Sequence, residues 1–106
     1  MDYKHSNTWF VGSTLKFAIN IERKGFNMLW DGWQVTVSRG DKSIICNRDK
    51  NSISDEDNQW YFLVDTKELG VGTYKIKVEI DVPDDDFPEK VCREVYGQNL
   101  IKVTSI

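Results

Sequence analysis

Apolar and polar residues alternate along much of this chain. Leu15, Phe17, Ile19 and Ile21 are separated by Lys16, Ala18 and Asn20, the period of two expected of a strand with one buried face and one wet face. Trp33, Val35 and Val37 alternate with Gln34, Thr36 and Ser38. The clearest run sets Tyr74, Ile76, Val78, Ile80 and Val82 against Lys75, Lys77, Glu79 and Asp81. Segments 43–47, 59–65, 90–96 and 99–105 bring the predicted strands to seven. Within them Trp60-Tyr61-Phe62-Leu63-Val64 is apolar on both faces, which predicts a central strand or one covered by a partner.

Turn chemistry punctuates these runs at Lys24-Gly25, Asp31-Gly32, Gly40-Asp41, 47–58, 69–72, 83–88 and Tyr96-Gly97. One short helical turn is predicted, Thr66 to Leu69, with Asp65 or Thr66 as its N-cap. Short strands at this spacing predict an all-β antiparallel sandwich or barrel. If every connection reverses the chain, loops 24–31, 47–58 and 83–88 gather at one end. Gly40-Asp41, 66–72 and Gly97-Gln98 then gather at the other.

The 106 residues make a single domain, 1–106, with 1–8 expected to be a flexible N-terminal segment. The formal net charge is −3 and no basic cluster stands out, so nucleic-acid binding has no electrostatic footprint. No apolar run approaches a membrane span, and the polar start Met1-Asp2-Tyr3-Lys4-His5 lacks the centre of a signal peptide. The expected location is therefore cytoplasmic as synthesised, without membrane partners. The two cysteines, Cys46 and Cys92, fit either reduced small hydrophobes or a disulfide. With one histidine they cannot close a zinc site.

Two features carry candidate chemistry. The first is Pro83-Asp84-Asp85-Asp86-Phe87-Pro88. In extended chain Asp84 and Asp86 point to one side, making them the candidate calcium ligands if an acid from 49–57 adds a third carboxylate. The segment starting at Asp49 opens like a calcium loop but has Ile53 in place of a ligand and Ser54 in place of the required glycine. The competing reading is a proline-stiffened, solvated turn with Phe87 tucked back as an anchor. The second feature is aromatic. Trp33 opens an alternating strand and is expected in the core. Phe26, Met28 and Trp30, with Leu29, either fold over an open end of the sandwich or anchor an interface. Trp9, beside Phe10, is expected in an extra edge strand or against a neighbouring chain. No catalytic or cofactor-binding residue is assigned: a small sandwich leaves little room for a paired-carboxylate cleft, and His5 stands alone.

Leu69, Gly72 and Tyr74 resemble the tyrosine corner of immunoglobulin-like sandwiches, in which a buried tyrosine hydroxyl bonds back to the backbone just upstream. Here Val71 stands where the family pattern often has proline. The resemblance implies an immunoglobulin-like antiparallel β-sandwich of about seven strands. Over residues 9–105 the chain also resembles small immunoglobulin-like proteins of prophages and mobile elements, related to N-terminal sandwich domains of phage tail and baseplate components. The matching features are Gly12, Lys24-Gly25-Phe26-Asn27-Met28, the 65–74 corner, and 83–88 followed by Arg93-Glu94-Val95. That resemblance implies a non-enzymatic structural or assembly module, virion- or tail-associated, with protein partners and self-association. The alternative is a carbohydrate- or cell-surface-binding module using the loop aromatics and acidic loops.

Overall fold

A computed structural model describes residues 8–19, 21, 23–27, 32–57, 59–97 and 101–105. These form β1 (Thr8–Phe10), β2 (Thr14–Ile19), β3 (Trp33–Arg39), β4 (Lys42–Asn47), β5 (Ser52–Ser54), β6 (Trp60–Asp65), α1 (Thr66–Leu69), β7 (Gly72–Pro83), β8 (Val91–Gly97) and β9 (Ile101–Thr104). One sheet runs β1-β9-β7-β3-β4, with β8 also on β7, and the other runs β2-β6-β5. The two sheets make an all-β sandwich, with six described strands in one layer and three in the other.

The described strands number nine rather than seven, and one pair, β1 with β9, is parallel. β5 lies inside the 47–58 segment read as loop. It escapes the alternation signal because Ser52 and Ser54 flank an exposed Ile53. β6 is central in its sheet, as its two-sided apolarity predicted. Trp33 is 2% exposed and meets Trp60 edge-on at 5.6 Å, joining the two sheets. Within the smaller sheet the half-buried Phe17 stacks on Phe62, its cross-strand neighbour, at 5.3 Å.

β8 and β9 follow one another along the same edge of β7. Lys77 faces Gly97, and Tyr74 faces Ile101, so three steps on β7 are matched by four on the partner side. That offset of one between the two registers inverts which residues face inward. Ile101 and Val103 are buried. In β8 the even residues Cys92, Glu94 and Tyr96 lie opposite Val82, Ile80 and Val78 of the inner face instead. Gly97 thus sits at the middle of β7, not with 40–41 and 66–72 at one end as expected.

At that end the corner is built as predicted. Asp65 caps α1 by accepting the Lys67 N–H at 3.0 Å. Tyr74 is fully buried and its hydroxyl donates to the Gly70 carbonyl, with the Thr66 carbonyl at 3.3 Å. A residue that sequence reasoning missed holds the corner to the β1–β2 connection. Thr66 is fully buried; its Oγ1 accepts the Gly12 N–H at 2.8 Å and donates to the Ser13 carbonyl at 2.7 Å.

Both cysteines are free. They stand on β4 and β8 with β3 and β7 between them, and three strand spacings of about 4.8 Å exceed a disulfide's reach. Cys46 is fully buried, and desolvation pushes its thiol up to about 11. Cys92 is half-buried on β8. A thiol reagent should therefore label only Cys92 quickly in the native protein, and both cysteines in denaturant. Equal native reactivity of the two would contradict this burial.

Candidate functional site

The acidic loops are best understood from their backbone bonds. In four connections an Asx side chain accepts the N–H two residues on: Asn47 from Asp49 at 3.0 Å, Asp55 from Asp57 at 2.9 Å, Asp65 from Lys67 at 3.0 Å and Asp84 from Asp86 at 2.9 Å. This is the Asx-turn, in which a short polar side chain mimics a turn of backbone. Asp55 also accepts the Gln59 N–H at 3.0 Å and the Tyr61 hydroxyl at 3.2 Å. Those bonds, led by Gln59, hold its carboxyl below the usual range.

Loops 47–58 and 83–88 do share the end occupied by Trp33 and Trp60, but β5 divides the first of them. Asp49 lies in a turn beside β4, and Asp55 to Asp57 in the hairpin leading to β6. Among the described residues no group of three His, Cys, Asp or Glu stands ready to hold a metal ion. Asp84 spends one carboxylate oxygen on its own loop. The Asp84 N–H and the Lys90 carbonyl close the hairpin at 2.9 Å, while Phe87 faces solvent at 45% exposure rather than tucking back.

Of the predicted contact residues, Met28 and Trp30 lie outside the described residues. Phe26 is half-buried and packs against the core. Trp9 occupies the predicted extra edge strand, β1, and meets Phe17 edge-on at 6.3 Å. Trp9 and its neighbour Phe10 retain 37% and 53% exposure.

The β7–β8 ribbon carries a set of groups that sequence reasoning did not assemble. On the outer face Arg93 pairs with Asp81 at 2.9 and 3.2 Å and with Glu79 at 3.8 Å, and Lys77 reaches Glu79 at 3.1 Å. Beside them is a concavity of about 170 Å³ whose lining includes Gly32, Gln34, Asn47, Glu79, Asp81 and Arg93. A Cβ at Gly32 would stand 3.2 Å from the Asp81 carbonyl oxygen, so close backbone approach explains that glycine. On the inner face Arg23 bonds Glu94 through both carboxylate oxygens at 2.9 and 3.0 Å, and the Tyr96 hydroxyl donates to the same carboxylate.

Those bonds, Arg23 first, hold the Glu94 carboxyl below the usual range. A depressed folded-state pKa stabilises the fold above the unfolded value and is lost as pH falls through the folded one. Stability should thus be flat above the carboxylate range and fall in acid. Glu94→Gln should lessen that acid slope in urea titrations at a series of pH values; an unchanged slope would show that Glu94 takes no part.

The backbone of β8 is as informative as its side chains. Because the Asp84 N–H bonds the Lys90 carbonyl in the register of this hairpin, bonded pairs recur at every second residue. Cys92, Glu94 and Tyr96 therefore bond β7. Val91, Arg93, Val95 and Gly97 turn their N–H and C=O groups outward, and no described strand pairs with that edge. Val95 and Tyr96 are 56% and 40% exposed. On the opposite edge of the same sheet two carbonyls are capped: Asn51 donates to the Ile45 carbonyl at 2.9 Å and the Ser52 hydroxyl to the Asn47 carbonyl.

Compared with known protein families, curated proteins and solved structures, the chain matches none. Among the described residues no helix is long and apolar enough to cross a membrane.

Proposed function

We propose that this domain is a non-enzymatic assembly module that joins protein partners, copies of itself included, through an open sheet edge. The observation that carries the reading is β8: seven residues of edge strand without proline or lysine, bearing exposed Val95 and Tyr96. Edges of this length are ordinarily blunted or covered, because unpaired N–H and C=O groups template another strand. Side chains of the chain itself cap two carbonyls of β4, whereas no described strand pairs with the outer edge of β8. Asp55 and Asp84 each spend a carboxylate oxygen on their own turn, which favours a structural role for those two loop acids. A phage-like or mobile-element setting, as a virion or tail-associated component, is drawn from the sequence resemblance. Light scattering across a concentration series tests the reading. A defined oligomer is expected, and a monomer at every concentration would count against self-association.

The outer-face concavity favours a second reading, a glycan-binding module. The amides of Gln34 and Asn47 beside Asp81 and Arg93 offer donors and acceptors suited to sugar hydroxyls. Saturable changes in tryptophan fluorescence with particular sugars, lost in Gln34→Ala, would favour it over assembly.

A further inference from the structure

We propose that the notch at Gly32 binds a single neutral sugar unit, held by the amides of Gln34 and Asn47 and by the carboxylates of Glu79 and Asp81. This rests on the glycan-binding reading and specifies the size and charge of the ligand and the groups that hold it.

The notch follows from the pairing of four strands. On the outer face, register aligns Asn47 of β4, Gln34 of β3 and Glu79 of β7 in one row across the sheet. In the next row Asp81 faces Arg93 of β8, and the Asp81 N–H bonds the Gly32 carbonyl at 2.7 Å. Gly32 precedes the inward-facing Trp33, so the side chain it lacks is missing from the outer face. Polar side chains of two rows therefore surround a gap, and no aliphatic side chain lines it. Its occupant must hydrogen-bond.

The charges here are already spent on one another. Arg93 takes both carboxylate oxygens of Asp81 and reaches Glu79 at 3.8 Å, while Lys77 takes the other Glu79 oxygen at 3.1 Å. Two acids meet two bases. A charged ligand would have to break one of these pairs; a neutral one need not. The amides are left over. Asn47 spends its Oδ1 on the Asp49 N–H, which leaves Nδ2 to donate. The Gln34 side chain has no hydrogen-bond partner among the described residues. Neighbouring hydroxyls, each able to donate and accept, suit amide donors beside carboxylate acceptors. The volume of about 170 Å³ is roughly half the lower end of the range usual for ligand pockets, about 300–1,000 Å³. That is room for one ring rather than a chain.

Side-chain amide signals in nitrogen-edited NMR spectra report on Gln34 and Asn47 directly. Titration with galactose, glucose and mannose should shift both signals saturably for at least one of the three. The corresponding trisaccharide should bind within about threefold of that monomer. Glucuronate and glucosamine should each bind at least fivefold more weakly. Asn47→Asp keeps an oxygen for the Asp49 N–H, and so keeps the turn, but removes the donor. It should leave the melting temperature unchanged and weaken binding about fivefold, the worth of one hydrogen bond. Gln34→Ala provides the same test on the other amide. Sugar binding that leaves the two amide signals unmoved, climbs with chain length, favours a charged sugar or survives both substitutions overturns this placement and leaves the glycan-binding reading standing. No shift, or shifts that rise linearly without saturating for every sugar, overturns both.

Discussion

Replacing Trp33 with alanine is expected to remove about 4 kcal/mol of stability, the middle of the range for deleting a large buried aromatic. The indole is 2% exposed and bridges the sheets by its edge-on contact with Trp60. In antibody-type sandwiches a tryptophan on the corresponding strand packs against a disulfide that joins the two sheets. This chain has no such bridge, because its two cysteines are free and lie in one sheet. The indole pair does the cross-linking by packing alone. A domain of this length has on the order of 5–15 kcal/mol in total, so the variant should melt roughly 15–30 °C lower. Trp33→Phe, which keeps a ring at the contact, should cost less than half as much. Urea denaturation compares the two; a loss below about 1 kcal/mol for alanine, far under the usual aromatic range, would show that the layers do not depend on this pair.

Gly72→Ala is expected to cost about 3 kcal/mol, from two sources that a double-mutant cycle separates. Gly72 has φ near +145°, a region that side-chain-bearing residues rarely enter. An added Cβ would also stand 2.6 Å from Cδ of Arg39. Arg39 is not free to swing away at no cost, because its Nε donates to the Leu69 carbonyl. Gly72→Ala must therefore accept backbone strain and displace a charge-assisted hydrogen bond. In an Arg39→Ala background the displacement is already made, and only the backbone component should remain. Strict additivity of the two substitutions would show that Arg39 does not press on this turn.

The alternation in 15–19, 33–38 and 74–82 predicted strands because each has one face against the opposite sheet. The helical turn and the tyrosine corner were legible for a local reason: cap, glycine and tyrosine interact within ten residues of chain. β5 was not legible. It is three residues long and held by pairing with β6 rather than by burial of its own apolar residue. The acids of 83–88 misled in a different way. Sequence spacing presented Asp84 and Asp86 as aligned ligands, whereas Asp84 is turned onto the Asp86 N–H. A carboxylate two residues before an available N–H is first a turn-former, and the repetition at 47, 55, 65 and 84 is a signal that was present in the sequence.

β8 marks the boundary between the two kinds of information. Val91 and Val95 read as inward residues of a buried strand by their chemistry, yet they face outward. The registers of β8 and β9 differ by one along the same edge of β7, which sets the two strands out of phase. Composition and alternation by themselves determined an all-β domain, its major strands, its corner and its polar turns, because those depend on local geometry and on which side chains prefer water. Strand pairing decided the rest: the phase of β8, the separation of the cysteines, the capped carbonyls of β4 and the edge of β8 with which no described strand pairs. Pairing depends on contacts between residues far apart in the chain, and periodicity carries no record of them.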